Sequence, residues 1–258
     1  MRFIRGLFIA LGAAVLLVAL ATLGAVILYG RHLPDVHQLD ALMRRNVRAD
    51  HVLREVVVES EDRRFYRHGA VDVVGVARAV ATGLTGGALE GGSTITQQLV
   101  KNTLLSRLQG ARTIERKVRE ALLAVRVERA YSKSQILTAY LNVIYWGSGG
   151  SRDLIGVGDA ARAYFDVSAS RLDLAQSMYL ATLIPSPARY FNYAAQRPLM
   201  RDLLDRLVQD GVVSRSEASR AWREPLQPAG WRVRYAAGGG IKSAALVDAE
   251  AKNLPRPR

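Results

Sequence analysis

No cysteine occurs among the 258 residues. Disulfides, thiolate nucleophiles and cysteine metal sites are therefore excluded, while the compartment stays open. Acid is scarce: 23 Asp and Glu stand against 36 Lys and Arg, a formal net charge of +13. Such an excess points to an anionic partner, whether nucleic acid, a lipid surface or a phosphate-bearing substrate. Sustained period-two alternation and hairpin turns are missing as well. From His51 onward the apolar residues recur at helical spacing, which predicts an all-α fold. The length suits one or two domains with a sizeable core.

One long run carries no charge. Leu7 to Tyr29 is 23 residues, enough at 1.5 Å per residue to cross roughly 30 Å of hydrocarbon. A signal-peptide core is shorter, roughly 7–15 residues, so the run reads as an uncleaved transmembrane helix, although Ala19-Leu20-Ala21 offers a cleavage site. Arg2 and Arg5 precede it. Arg31, Arg44, Arg45 and Arg48 follow and outnumber them, against the positive-inside rule for an N-terminus in the cytoplasm. The expected organisation is an anchor over 1–30, a basic juxtamembrane linker over 31–50, a helical domain over 51–213 and an irregular tail over 214–258. The tail carries Pro228, Gly230, Gly238-Gly239-Gly240, Pro255 and Pro257.

Two stretches carry the chemistry. Glu61 to Asp72 reads EDRRFYRHGAVD. It follows an amphipathic helix with Val52, Leu53, Val56 and Val57 on one side, so Glu61 and Asp62 sit where that helix ends. A carboxylate beside apolar residues can have a raised pKa and act as a general base. Gly91 to Asn102 reads GGSTITQQLVKN. Glycine breakers at Gly86-Gly87 and Gly91-Gly92 flank a loop that opens a helix, and Thr94 with Gln97 has capping-box spacing. The free amides of such a helix start suit an anion. Gln97 and Lys101 share a face, as do Gln98 and Asn102. Taken singly, these are equally a solvated helix end and an ordinary capped helix.

The remaining elements are predicted as helices at Asp72 to Thr82, Arg112 to Arg129, Ser134 to Ile144, Asp153 to Phe165, Asp173 to Leu183, Pro198 to Asp210 and Ser214 to Trp222. Arg112, Arg116 and Glu120 recur every four residues along the second, a pattern that i,i+4 salt bridges alone would also give. Tyr145-Trp146-Gly147 is read as an aromatic turn, and Ser148 to Ser151 as a small loop.

EDRRFYRH, GGSTITQQLVKN, RKVRE (Arg116 to Glu120), YSKSQILTAYLNVIYWG (Tyr131 to Gly147) and GVGDAARAYF (Gly156 to Phe165) occur in this order. With them the chain, from about Leu42 to Val213, resembles the peptidoglycan glycosyltransferase family. The resemblance implies a lysozyme-like α-helical fold with a head and a membrane-proximal jaw. It implies a substrate, lipid II, that is joined to a growing glycan strand. Glu61 matches the family's base, which takes the proton from the acceptor 4-hydroxyl, and Glu120 its second glutamate. Asp62, Phe65 and His68 match the rest of the first motif. Ser93, Thr94, Gln97, Gln98, Lys101 and Asn102 match the motif that holds sugar and diphosphate. Arg112, Arg116 and Lys117 match basic positions around the third motif, where positive charge meets a diphosphate leaving group. A divalent cation, Mg or Mn, assists at the pyrophosphate in some members. The resemblance also implies a single-pass inner-membrane protein with its catalytic domain in the periplasm, in contact with membrane lipids and with other cell-wall synthesis proteins. Relatives that continue into a transpeptidase domain are longer, and no second domain is expected here.

Two departures accompany the match. Where the family reads H-x-G-x-D, this chain reads His68-Gly69-Ala70-Val71-Asp72; if that position needs a positive φ, alanine is strained there. The stretch from Lys101 to Arg116 is longer than the family pattern, with Leu105 to Gly110 as the extra segment. A lytic glycan-cleaving enzyme and an inactive lipid II-binding scaffold are the competing functions. The basic cluster argues against the first, since glycan cleavage has no diphosphate to neutralise, and the retained Glu61 and Glu120 against the second. Nucleic acid is not an expected partner, because the charge is spread along helices beside a membrane anchor.

Overall fold

The computed structural model describes residues 32–45, 49, 51–84, 92–106, 114–148, 153–185, 187 and 193–223, with short pieces at 12–13, 16–17, 20–21, 23–24, 26–30, 234–235 and 241–243. Among the described residues no helix is long and apolar enough to cross a membrane. Much of the expected anchor, the Gly86-Gly87 and Gly91 breakers, most of the Ser148 to Ser151 loop and the greater part of the Leu105 to Gly110 segment lie outside them.

The helices are α1 (Asp40–Met43), α2 (His51–Glu61), α3 (Val73–Leu84), α4 (Ile95–Asn102), α5 (Ile114–Ala130), α6 (Lys133–Val143), α7 (Val157–Phe165), α8 (Leu174–Leu183), α9 (Tyr193–Gln209) and α10 (Arg215–Arg223). Several begin at a reciprocal cap. Thr94 with Gln97, Ser132 with Gln135 and Asp173 with Gln176 each satisfy two orphan donors at a helix start. Two packed groups result. In one, α2 lies on α8 and α9; in the other, α4 lies between α5 and α6. Leu53, Val56 and Val57 of α2, and Ile95, Leu99 and Val100 of α4, are completely buried. Each such side chain contributes about 1.5–3 kcal/mol. Arg54 reaches from α2 to the Thr138 hydroxyl (3.0 Å) and to Ser134 on α6, so the groups are also tied at their rim.

Several boundaries differ from expectation. The segment expected as a linker is partly built into the domain. A 3-10 turn, Val36–Leu39, capped by Asp35, runs into α1, and Val36, Leu39 and Met43 are buried. The Tyr131 hydroxyl fastens this segment through the carbonyl of Val36 and the carboxylate of Asp40. Pro198, expected to open its helix, lies inside α9, which starts five residues earlier at Tyr193. Proline favours a first turn but is tolerated further in where the lost backbone bond can be absorbed.

The all-α expectation is corrected at one point in the core. Tyr145–Ser148 (β1) pairs antiparallel with Asp153–Ile155 (β2), with an irregularity between the Tyr145–Ile155 and Ser148–Asp153 pairs. The helix expected from Asp153 therefore begins only at Val157. Gly156 makes the passage from β2 into α7 possible. Its φ is +83°, and a Cβ there would lie 2.7 Å from the carbonyl oxygen of Asn142. Its N–H donates to Ile144 at 2.8 Å. Buried Trp146 pins the hairpin to the core, and the Tyr164 hydroxyl donates to the Trp146 carbonyl at 2.7 Å. In the tail expected to be irregular, Arg234–Tyr235 (β3) and Ile241–Ser243 (β4) form a second short antiparallel pair.

Candidate active site

Glu61 is the last residue of α2, and the chain turns beneath it. Asp62 N–H and then Phe65 N–H close that turn on Val58 and Asp62 carbonyls. The Glu61 carboxylate accepts a hydrogen bond from Gln98 Nε2 at 3.1 Å, and Ser60 Oγ lies 3.5 Å from its other oxygen. Burial pushes its pKa up to about 7; the Gln98 and Ser60 contacts oppose the rise, and the charge of Asp62 adds to it. A carboxyl so placed holds and releases a proton near neutral pH, as a general base requires.

The two motif stretches meet here through the backbone as well. Asp62 is buried; its Oδ2 accepts from the Ile95 N–H at 3.0 Å and its Oδ1 lies 2.6 Å from His68 Nε2. Thr94 Oγ1 donates to the Ala70 carbonyl at 2.9 Å. These contacts correct the expectation of free amides at the start of α4. Ile95 N–H is given to Asp62, Gln97 N–H to the Thr94 hydroxyl and Gln98 N–H to the Thr94 carbonyl. The protein's own carboxylate fills the place a bound anion would take. Ala70 causes no strain, because the one described non-glycine residue with positive φ is Asp166.

The predicted site residues thus divide. Asp62, Thr94 and Gln97 are buried framework. So is Phe65, which lies under Lys133 with Nζ 4.3 Å from the ring centroid, and the His68 ring is nearly enclosed. Glu61, Ser93, Gln98, Asn102 and Arg116 are partly exposed, and Lys101 and Lys117 are exposed. Arg112 lies outside the described residues.

The exposed cations belong to α4 and to α5, which packs against it. Lys117 Nζ donates to Ser93 Oγ at 2.6 Å and pairs with Glu120 at 3.0 Å. Arg116 pairs with the same carboxylate, which is 1% exposed. Partial burial lowers the Lys117 pKa, and the charges of Arg116 and Lys101 lower it further. Two cations therefore share one buried carboxylate, with the charge of Lys101 close enough to be felt by Lys117. Gln98 and Lys101 stand three residues apart on α4, so one helix links the carboxyl end to the cationic end.

A divalent cation does not fit the cationic end, where the described carboxylate, Glu120, is already taken by Arg116 and Lys117. Asp62, His68 and Asp72 do offer one ligand atom each within 4.8 Å. Asp62 spends both oxygens on protein partners, however, and Asp72 accepts from the Val74 N–H at the start of α3.

Three supporting residues were not singled out from the sequence. Thr96 Oγ1 and Lys133 Nζ both donate to Glu128, at 2.6 and 2.7 Å. Tyr140 donates to Gln98 Oε1 at 2.8 Å. Lys133 and Tyr140 belong to the motif from Tyr131 to Gly147, which was a usable signal; nothing local distinguishes Glu128.

Comparison with known proteins bears on the same region. The signature of the family described as Transglycosylase matches residues 35–208. A penicillin-binding protein 1A of Aquifex aeolicus is 40% identical over 181 residues, 69% of this chain and 24% of that protein. A penicillin-binding protein 1B of Vibrio cholerae is 37% identical over 179 residues, 68% of this chain and 23% of that protein. A protein of Cupriavidus necator named "Putative transglycosylase" is 37% identical over 236 residues, 87% of this chain and 96% of its own length. The chain thus spans about a quarter of the penicillin-binding relatives and nearly all of the Cupriavidus protein.

Proposed function

The chain belongs to the transglycosylase family of peptidoglycan glycosyltransferases, and on that premise we propose that it polymerises lipid II into glycan strands at the outer face of the inner membrane. In this reading Glu61 takes the proton from the 4-hydroxyl of the acceptor sugar. The freed oxygen attacks the MurNAc anomeric carbon of the donor from the side opposite the leaving group, and the configuration inverts. The C–O bond to phosphate breaks, and undecaprenyl diphosphate departs with the bonding electrons. Lys101, Arg116 and Lys117 meet the charge that grows on the diphosphate.

The observation that carries this reading is the Glu61 carboxyl, poised near neutrality on the same short helix surface as an excess of cations. A lytic enzyme would use the carboxyl and leave the cations without a task. No step is assigned to a divalent cation. The charge-free run Leu7 to Tyr29 serves as an anchor in this proposal. It keeps the domain, folded as a lysozyme-like head and jaw, beside the lipid tail of its substrate, and other cell-wall proteins would meet it there.

The test is incubation of the purified full chain with lipid II, followed by separation of polymer from monomer. Polymer and free undecaprenyl diphosphate in equal bond counts are expected. Cleavage of preformed glycan without polymer would establish the lytic alternative instead.

A further inference from the structure

The carboxyl of Glu61 receives its hydrogen bond from a side chain with two faces. The Gln98 amide has a donor nitrogen and an acceptor oxygen of nearly equal shape, so nothing in its own outline decides which one faces Glu61. The decision comes from α6. Tyr140 is completely buried, and its hydroxyl donates to Gln98 Oε1 at 2.8 Å, which leaves Nε2 aimed at Glu61 Oε2 at 3.1 Å. The phenol is a dependable donor. Burial, together with the carboxylates of Glu61 and Asp62, raises its pKa well above the usual value, so it keeps its proton at any working pH.

We infer that Tyr140 is a positioning residue for the reaction: its hydroxyl fixes the orientation of the Gln98 amide, and through that amide it sets how readily Glu61 gives up and takes a proton. This rests on the reading of Glu61 as the base. With Tyr140 in place, the amide N–H stabilises the ionised carboxylate. Without the phenol hydroxyl, Gln98 is free to turn its oxygen toward Glu61. That arrangement is favourable only when Glu61 carries a proton to donate. The carboxyl then stays protonated to higher pH, and less of the enzyme holds the base in its active form.

The groups around Glu61 leave the amide a large share of the control. Its own turn supplies Ser60 and the charge of Asp62, which is paired with His68. From α4 comes the neutral amide of Gln98, with the exposed cation Lys101 one turn further on. From α6 comes Tyr140. Helix α8 has no charged residue. On the α9 side, Arg206 and Asp210, the residue that follows the helix, are engaged with Glu59 and Arg63, while within α9 Arg201 pairs with Asp205 and Arg197 lies over the Trp222 ring.

The experiment compares pH–rate profiles of the full chain on lipid II for the unaltered protein, Tyr140→Phe, Gln98→Leu and the double variant, with Glu61→Gln alongside. Tyr140→Phe is expected to move the acid limb of kcat upward by about one pH unit, a loss of about fivefold at pH 7 that narrows as pH rises, with KM unmoved. Gln98→Leu is expected to move the limb in the same direction, and the double variant no further than Gln98→Leu alone, because both act through one amide. A Tyr140→Phe profile that overlays the unaltered one, or a shift that adds fully to that of Gln98→Leu, overturns the inference. If Tyr140→Phe fails to fold, Tyr140→Met, which removes the phenol donor without enlarging the buried side chain, replaces it with the same expected direction. Persisting turnover in Glu61→Gln would instead remove the base reading itself, whatever the Tyr140 variants do.

Discussion

At one end of the site a carboxyl is kept among an amide, a hydroxyl and a phenol, with Asp62 as the adjacent charge. At the other end Arg116 and Lys117 share one buried carboxylate beside Lys101, and half of the Lys117 side chain stays in water. Both ends hang on α4, yet solvent is used in opposite ways. Dryness makes the Glu61 carboxyl basic. Partial wetness lets the cations stay charged, with more positive charge than Glu120 can neutralise. A proton acceptor gains from being costly to ionise, whereas a charge clamp must be ionised before its ligand arrives.

The largest effect should come from removing the dry end. Glu61→Gln is expected to reduce polymerisation by about 10³-fold or more, within the range of lost general-base catalysis. The same substitution is expected to stabilise the fold at alkaline pH. The folded-state pKa of Glu61 is raised, so its contribution is unimpaired below the ordinary carboxylate pKa and stability is lost as pH rises toward 7. The glutamine cannot ionise. Its melting temperature should therefore match that of the unaltered chain near pH 4 and exceed it increasingly from pH 5 to 8, by up to about 3 kcal/mol in stability. A constant difference across that range would show that the carboxyl is not desolvated.

Next in size is the buried counter-charge of the wet end. Glu120→Gln leaves Arg116 and Lys117 without their carboxylate. A loss of about 3 kcal/mol in stability is expected, read by denaturant titration, since breaking a buried pair strands its partner. Arg116→Ala should cost less in stability. It should weaken turnover of lipid II and binding of the phosphoglycolipid moenomycin together by about tenfold, through loss of a charge-assisted contact to phosphate. Normal moenomycin binding in Arg116→Ala would move the diphosphate site elsewhere. The smallest effect is one of salt. Between 50 and 300 mM, KM should rise a few-fold through screening of the exposed cations, while the acid limb near pH 7 holds its place because it is set mainly by desolvation of the carboxyl rather than by nearby charge. If both move together, the two ends are not electrically separate.

Much of this was legible in the chain. The helix ending at Glu61, the Thr94–Gln97 cap and the shared face of Arg116 and Glu120 follow from spacing, and each is local. What spacing could not show is pairing at a distance. Asp62 meets Ile95 across 33 residues and Tyr140 meets Gln98 across 42, so the filled helix start and the locked amide left no local trace. The hairpin at Tyr145–Ser148 was hidden for another reason. Its strands are of four and three residues with irregular register, too short for alternation to appear, and its exit into α7 depends on the Gly156 backbone lying close to the Asn142 carbonyl.

The clasp between α2 and α9 has a consequence in time. Arg63 grips Asp210 across 147 residues, and Arg206 lies 3.4 Å from Glu59, two positions before Glu61. The helix that bears Glu61 emerges from the ribosome well over a hundred residues before the Arg206 and Asp210 that clasp it. A nascent chain halted before Arg206 would carry the complete motif sequence of the site with the base helix unfastened. Stalled chains should accordingly lose protease sensitivity at α2 only once Asp210 has cleared the exit tunnel.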